Sequence, residues 1–420
     1  VVGRGYADAG SLDLDVGFRV TSMSRQAGSL EGGAEVTFFG VGFSPLDWPN
    51  EIIFRHVDTW GYEWRHPCPL LAYAPDGTNV TCSMPALPMM HRGDPRIVNS
   101  STPVTGVFWV KVNNITAPCD ASLSGCAYEQ TIAATPIVAN WSITPEPASP
   151  SGLALALTGS QLPVPGMHVT FGDYSCRPIF AVDASNVRCY IPVGIAGPAA
   201  VAAHVHVLGM ARMNASYVFP LSVVSGPSAT VGSAAGGTRV VLTGAGFASD
   251  SLARNLVYFG ATPSTAARLV VTFANTTYLE ALTPPQPVST TATYSLTVQV
   301  LDMDLLNPVA TATAPATFTY DPSVASTPTI ASVAPTSGFA GDVLVVTGTG
   351  FGNFSAAHAV LVGSIPCAIL TNGSFTATRL LCTLGASPAG VHRVLVSIDG
   401  KGYARAPTTA GITFTSRLEI

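Results

Sequence analysis

One phrase recurs in this 420-residue chain and constrains its fold more than any other feature. It reads Gly32-Gly33-Ala-Glu-Val-Thr-Phe-Phe-Gly40-Val-Gly42-Phe43, then Gly236-Gly237-Thr-Arg-Val-Val-Leu-Thr-Gly244-Ala-Gly246-Phe247. A third copy is Ala340-Gly341-Asp-Val-Leu-Val-Val-Thr-Gly348-Thr-Gly350-Phe351. A degraded one, Ser151-Gly152-Leu-Ala-Leu-Ala-Leu-Thr-Gly159-Ser-Gln161-Leu162, lies between the first two. Each holds a glycine turn, a short strand, and a glycine bend closed by an apolar residue. Glycine there suits a positive φ or a close backbone approach. Self-similarity at domain-sized spacing predicts a repeat architecture.

Cysteine follows the same period. Cys68/Cys82, Cys176/Cys189 and Cys367/Cys382 each stand 13 to 15 residues apart after a copy of the phrase, and Cys119/Cys126 flank a short loop. In the third repeat, after the copy at 236–247, Ser264 and Ala281 are read at the equivalent positions, so both cysteines are lost together, as for partners. Eight cysteines allow 105 connectivities; repeat logic selects 68–82, 119–126, 176–189 and 367–382, against the alternative of reduced buried thiols. No C-x-x-C spacing suggests zinc. Disulfides place the chain in an oxidising, extracytoplasmic compartment.

Between these landmarks short β-rich runs alternate with Gly/Pro/Asn/Asp turns, as in Val107-Phe-Trp-Val-Lys-Val112 and Val391-His-Arg-Val-Leu-Val-Ser-Ile398. No sustained 3.6-residue apolar period appears, so antiparallel sandwiches are expected. The uncharged window Ile191–Ala211 is long enough to span a membrane. Its prolines, glycines and strand-like Val201-Ala-Ala-His-Val-His-Val-Leu208 make it a β segment instead.

The glycine phrase and its cysteine pair resemble the IPT/TIG domain, an immunoglobulin-like E-set module. The resemblance covers essentially the whole chain in four copies and is weakest in the second. It implies an all-β chain of tandem immunoglobulin-like β-sandwich domains arranged as a linear rod. The repeats fall at 18–134, 135–219 (divergent), 220–321 and 322–415. Gly3-Arg4-Gly5-Tyr6-Ala7 matches Gly400-Lys401-Gly402-Tyr403-Ala404, so residues 1–17 are read as the C-terminal strand of a preceding repeat. Residues 416–420 are read as the first strand of a following one. Asp321-Pro-Ser-Val-Ala-Ser-Thr-Pro328 reads as a semi-rigid linker.

Charged residues make up only 10% of the chain, with a net charge of −5 and two lysines, Lys111 and Lys401. Soluble proteins average about 25%. No Lys/Arg cluster suits nucleic acid, and 47% apolar content excludes disorder. Asparagine supplies the alternative surface chemistry. Of 13 asparagines, eight lie in Asn-x-Ser/Thr: Asn79, Asn99, Asn114, Asn140, Asn214, Asn275, Asn353 and Asn372. These are acceptors for N-linked glycan on a secreted chain.

Weaker constellations remain. Gly348-Thr-Gly-Phe-Gly352 looks like a phosphate loop but repeats as a turn elsewhere, with no helix after it. Asp13-Leu-Asp15 and Asp302-Met-Asp304 supply carboxylates for calcium, which takes 6–8 oxygens, and are better read as solvated loops. His204 and His206 offer a metal two ligands only. Trp60, Tyr62 and Trp64 alternate along one stretch and form a candidate recognition surface, with packing as the alternative. No Gly-x-Ser-x-Gly or nucleophile–base pair appears, so no catalytic residue, cofactor or enzyme activity is expected beyond covalent glycan. The expected role is a structural extracellular glycoprotein, a glycan-coated filament or cell-surface stalk. Its expected partners are further copies, adjacent repeats and glycans, with any membrane contact through segments outside this chain. The alternative is a receptor-like or adhesion ectodomain that binds a protein or glycan ligand.

Overall fold

The computed structural model describes residues 17–45, 50–58, 61–86, 103–120, 122, 124–163, 166–183, 185–264, 267–353, 358–370, 375–408 and 411–417. Among them it is all-β, with 3-10 turns at Ile132–Ala134 and Leu252–Arg254. The chain divides into two compact units, one built from the first two repeats without residues 193–198 and one from those residues and the last two repeats.

Repeat 1 packs a sheet of Arg19–Met23, Glu35–Val41, Asn79–Ser83 and Leu70–Tyr73 on a second sheet. The second runs Ala27–Gly28, Ala127–Gln130, Val104–Val112, Asn50–Val57 and Glu63–Pro67. Alternation decides what is buried, because successive strand side chains face opposite sides. Val36, Phe38, Ile52, Phe54, Phe108 and Val110 fill the core while their neighbours face out. Repeats 2 and 3 repeat the first sheet's order with Ile137–Pro145, Leu153–Ser160, Asn186–Tyr190 and Ile179–Asp183, and with Ser222–Ser225, Arg239–Ala245, Tyr278–Leu282 and Val270–Ala274. In repeat 4 the strand Ile365–Ile369 pairs with both Arg379–Leu384 and Ala359–Val362, so its two sheets run into one another. The uncharged window contains the strand Gly197–Val205, and no described helix is long and apolar enough to cross a membrane.

The recurring glycines have two distinct causes. In every repeat the opening strand carries the same irregularity, between Val20 and Ser22, Val138 and Asn140, Val223 and Ser225, Ile330 and Ser332. The bulge drives a carbonyl against Gly40, Gly159, Gly244 or Gly348: a Cβ there would lie 2.0, 1.8, 1.9 or 1.9 Å from that oxygen. The second glycine is a left-handed bend, with φ of 86°, 93° and 76° at Gly42, Gly246 and Gly350. The degraded copy places Gln161 there at 57°. Phe43, Leu162, Phe247 and Phe351 then drop into the cores, all at most 4% exposed.

Four disulfides close as the repeat logic selected: Cys68–Cys82, Cys119–Cys126, Cys176–Cys189 and Cys367–Cys382. They are not surface sites. Cys82, Cys126, Cys176, Cys189 and Cys382 are fully buried, and Cys68 and Cys367 nearly so; only Cys119 is partly exposed. The bridges are therefore braces inside the sandwiches. Cys82 and Cys382 lie on the central strands Asn79–Ser83 and Arg379–Leu384, and Cys189 on Asn186–Tyr190, each facing inward by strand alternation. Cys126 instead precedes Ala127–Gln130 at a φ of 63°, tucked under its loop.

One equivalence needs correction. Register places Ala281 opposite Val240, as Cys82 lies opposite Val36, but the second position belongs to Leu269 and not Ser264. Cys68 donates its amide to Ile52 O, Cys176 to Val169 O and Leu269 to Val257 O. Leu269 and Ala281, 2% and 0% exposed, fill with carbon the space that a cystine fills elsewhere.

Two boundaries also shift. Ser416 ends the strand Ile412–Ser416, and the Arg417 amide bonds Gly338 O, so repeat 4 continues past the expected boundary at 416. The linker reading of 321–328 gives way to a pinned turn, in which Thr327 Oγ1 donates to Asp321 O at 2.5 Å and Ser323 Oγ to Asp321 Oδ2 at 2.7 Å.

Candidate functional site: the junctions between repeats

Within each unit the two repeats are joined by the same set of hydrogen bonds. In the first unit the loop Gly28-Ser29-Leu30-Glu31-Gly32-Gly33 of repeat 1 meets the hairpin Leu208–Arg212 of repeat 2. Ser29 N donates to Leu208 O at 2.9 Å, Ser29 Oγ to Met210 O at 2.7 Å, and Met210 N to Gly32 O at 2.8 Å. In the second unit Ser233 N donates to Lys401 O at 3.0 Å, Ser233 Oγ to Tyr403 O at 2.6 Å, and Tyr403 N to Gly236 O at 2.7 Å. A buried threonine from the connecting turn completes each joint. Thr135 Oγ1 accepts from Leu30 N at 3.0 Å, and Thr327 Oγ1 from Ala234 N at 2.9 Å. Arg212 and Arg405 each donate their amide to a proline carbonyl, of Pro136 and Pro328, at 2.7 Å.

Small residues make this approach possible. A Cβ on Gly209 would lie 2.2 Å from Gly32 O, and one on Gly402 2.5 Å from Gly236 O, at φ of 106° and 111°. Each glycine pair stands left-handed, at 73° and 74° for Gly32 and Gly33 and at 78° and 70° for Gly236 and Gly237. Satisfying these buried backbone groups holds the joint closed, because leaving one unpaired costs about 1–3 kcal/mol.

The two histidines too few for a metal site belong to the first joint. His204 Nε2 donates to Gly33 O at 2.7 Å, and His206 Nδ1 lies 3.3 Å from Glu35 Oε1. Among the described residues no group of three or more His, Cys, Asp or Glu gathers as for a metal. Asp302 closes its own turn, accepting from Asn307 Nδ2 and Leu306 N at 2.9 Å. Asp13 and Asp15 lie outside the described residues.

The aromatic row of repeat 1 is placed differently from the sequence reading. Trp60 lies outside the described residues, and Tyr62 stands in the turn before Glu63–Pro67, 69% exposed. Trp64 faces the core side of its strand, where it stacks on His66 and donates Nε1 to Asp58 Oδ2 at 2.8 Å. The outward face carries Trp109 instead, between the core residues Phe108 and Val110 on Val104–Val112. The guanidinium carbons of Arg55 and Arg65 lie 5.0 and 4.9 Å from its ring centroid, and Lys111 Nζ 5.8 Å. These cations cover the ring, and Glu51 and Glu63 pair with them. The hydrogen bond from Arg55, then that from Arg65, holds the Glu63 carboxyl down at about 2.

A lowered carboxylate pKa stabilises above its ordinary range near 4.3 and loses that contribution as pH falls through the folded value. Carboxyl NMR is therefore expected to show Glu63 ionised to about pH 2, with the Arg55–Glu63–Arg65 cluster intact from pH 8 to 5. Arg55→Ala should return it toward 4.3; a midpoint near 4.3 in the unaltered chain would refute the pairing.

A groove of about 960 Å³ opens beside the joint of repeats 3 and 4. Pro285, Gln286 and Pro287 line it with Arg393, Tyr403 and Arg405, and no carboxylate is among its described lining residues.

Of the sequon asparagines, Asn114, Asn140, Asn214, Asn275 and Asn353 are exposed, and Asn79 is half-buried at the start of Asn79–Ser83. Asn99 and Asn372 lie outside the described residues. Asn275 Oδ1 accepts from Thr277 N and Tyr278 N at 2.8 Å and from the sequon hydroxyl, Thr277 Oγ1, at 3.1 Å.

Tandem immunoglobulin-like sandwiches joined in pairs through glycine loops define the class. The chain belongs to the IPT/TIG domain family, whose model matches residues 141–217, 222–320 and 328–416. It is 26% identical over 320 residues to mouse (Mus musculus) fibrocystin-L, covering 74% of this chain and 7% of that protein's length. Among solved structures, the plexin A4 full extracellular region is 15% identical, covering 95% of this chain and 37% of that one at a TM-score of 0.29. Invasin, a bacterial integrin-binding protein, is 10% identical over 94% of this chain and 78% of its own, with a TM-score of 0.18.

Proposed function

We propose that this chain is a stretch of an extracellular ectodomain with a mechanical role, a glycan-coated stalk or filament segment in which IPT repeats are held in fixed pairs. The joint built twice from the same hydrogen bonds carries this reading. A chain made only to display independent sandwiches has no use for buried inter-repeat hydroxyls and glycines too crowded for a Cβ. Four disulfides suit an oxidising compartment, and five exposed sequon asparagines on a chain with 10% charge suit a hydrated sugar coat.

The test is peptide mass spectrometry of the chain secreted from a eukaryotic host, with each occupied asparagine read as aspartate after enzymatic deglycosylation. Asn114, Asn140, Asn214, Asn275 and Asn353 are expected to be occupied. Secretion with these sites bare would overturn the sugar coat.

A second reading, an ectodomain that binds a ligand, is favoured by the groove between repeats 3 and 4. Its two arginines and absent carboxylates suit an anionic group. Arg393→Ala with Arg405→Ala should abolish binding to sulfated or uronate-rich saccharides on an array. Equal binding by both proteins would remove the groove from consideration.

A further inference from the structure

The two joints use complementary parts that alternate along the chain. Repeats 1 and 3 carry the receiving loop, Gly28-Ser29-Leu30-Glu31-Gly32-Gly33 and Gly232-Ser233-Ala234-Ala235-Gly236-Gly237. Repeats 2 and 4 carry the entering hairpin, Gly209-Met210-Ala211-Arg212 and Gly402-Tyr403-Ala404-Arg405. We infer that these form a docking code. A repeat with the Gly-Ser-x-x-Gly-Gly loop receives the Gly-Met/Tyr-Ala-Arg hairpin of the repeat that follows it. Alternate repeats are thus specialised as receiver and donor, and the array is assembled from two-repeat blocks. The inference rests on the joints alone and holds whether or not the array is sugar-coated.

Serine is the centre of the receiver. Its hydroxyl donates across the joint while accepting from the amide two residues on, Glu31 N or Ala235 N, each at 3.0 Å. The loop is therefore preshaped by the same atom that makes the contact. The corresponding loops of the donor repeats are satisfied within their own repeat. In repeat 2, Ser149 Oγ and Ser151 Oγ both donate to Ile191 O, at 3.0 and 2.7 Å. Repeat 4 has Gly338-Phe339-Ala340-Gly341, two residues shorter than the receivers and with no serine after its first glycine. Asp342 Oδ2 there accepts from Phe339 N at 2.8 Å.

The receiver repeats in turn lack the donor hairpin. Repeat 1 has Asn113-Asn114-Ile115-Thr116-Ala117-Pro118, and repeat 3 has Asp302-Met303-Asp304-Leu305-Leu306-Asn307 closed by its own carboxylate. Neither has the glycine that lets the hairpin approach a carbonyl. A side chain at that position would collide with the receiver, so the glycine also excludes wrong pairings. Gly5-Tyr6-Ala7 carries the donor signature once more, with Asp8 in place of the arginine.

Hydrogen exchange on the full 420-residue chain tests the code. In the unaltered chain the amides of Ser29, Leu30 and Met210, and of Ser233, Ala234 and Tyr403, are expected to be protected. Gly402→Val should accelerate exchange at the second set at least tenfold and leave the first set and the core amides of both units unchanged. Gly209→Val should do the converse. Because a bulky substitution can unfold its own repeat, Ser233→Ala serves as a mild second variant, with the same amides affected by a smaller factor. Unchanged protection in both variants, or equal loss at both joints from either one, would overturn the code.

Discussion

Gly348→Ala is expected to destabilise repeat 4 severely while leaving the first unit intact. The added Cβ would stand 1.9 Å from Thr329 O and 2.6 Å from Phe351 Cζ, distances that real Cβ contacts do not show. Relief would require the opening strand Thr329–Ala334 to move. That strand is fixed by its ladder to Val343–Thr349 and by the bulge between Ile330 and Ser332. The Phe351 ring is fully buried and has nowhere to shift without opening the core. A loss on the order of 4 kcal/mol is expected, in the range of the largest single-site effects, against a domain stability of about 5–15 kcal/mol.

Gly341→Ala is the control. Gly341 has φ of 90° but no heavy atom within 4 Å of the added Cβ, so it meets only backbone strain, about 1–2 kcal/mol. Urea unfolding followed by exchange at Leu380 and Val396 separates the two. Equal midpoint shifts for both variants would show that crowding at Gly348 is not what the repeated glycine is for.

That distinction was only half legible in the sequence. The phrase Gly-x-Gly-Phe announces a bend, and its three copies announce its importance, but a string cannot say that a bulge carbonyl crowds the first glycine while the second is left-handed. The answer lies in the opening strand some 20 residues earlier, whose bulge aims a carbonyl at the first glycine. The degraded copy is informative for the same reason. Gly159 is kept where a Cβ would stand 1.8 Å from Ile137 O, whereas Gln161 takes the second position at a φ of 57°. In the full copies that second glycine is close-packed as well as left-handed, with Pro220 O 2.3 Å from a Cβ on Gly246 and Val324 O 2.7 Å from one on Gly350.

Cysteine pairing was legible because partners disappear together. The residues that replace them were only half legible, since bulges such as that between Val271 and Phe273 defeat counting along the chain. The joints left a trace as well. The match between Gly3-Arg4-Gly5-Tyr6-Ala7 and Gly400–Ala404 is visible in the sequence, but its target, Ser233, lies some 170 residues away. Trp64 was misplaced because alternation shows which residues share a face, not which face is inward. That is set by His56 and Phe54 on the adjacent strand.

Reduction of the disulfides should weaken repeats 1, 2 and 4 and leave repeat 3 unchanged. Closing the loops Cys68–Cys82, Cys176–Cys189 and Cys367–Cys382, with sequence separations of 14, 13 and 15 residues, contributes about 3 kcal/mol each by restricting the unfolded chain. Repeat 3 holds Leu269 and Ala281 at that position, so its native state already fills the space and its unfolded state was never restricted. The asymmetry has a constructive counterpart. Leu269→Cys with Ala281→Cys places two cysteines on the register that carries a cystine in the other repeats, at a separation of 12. Under oxidising conditions repeat 3 should gain up to about 3 kcal/mol, less whatever packing the leucine supplied, and the gain should vanish with reductant. Exchange at Leu242 and Val298 in repeat 3, with and without reductant, reads this out. Two free thiols in the oxidised double variant would show that Leu269 is not the equivalent of the missing cysteine. Loss of protection in repeat 3 of the unaltered chain on reduction would show that its stability depends on its neighbours' disulfides.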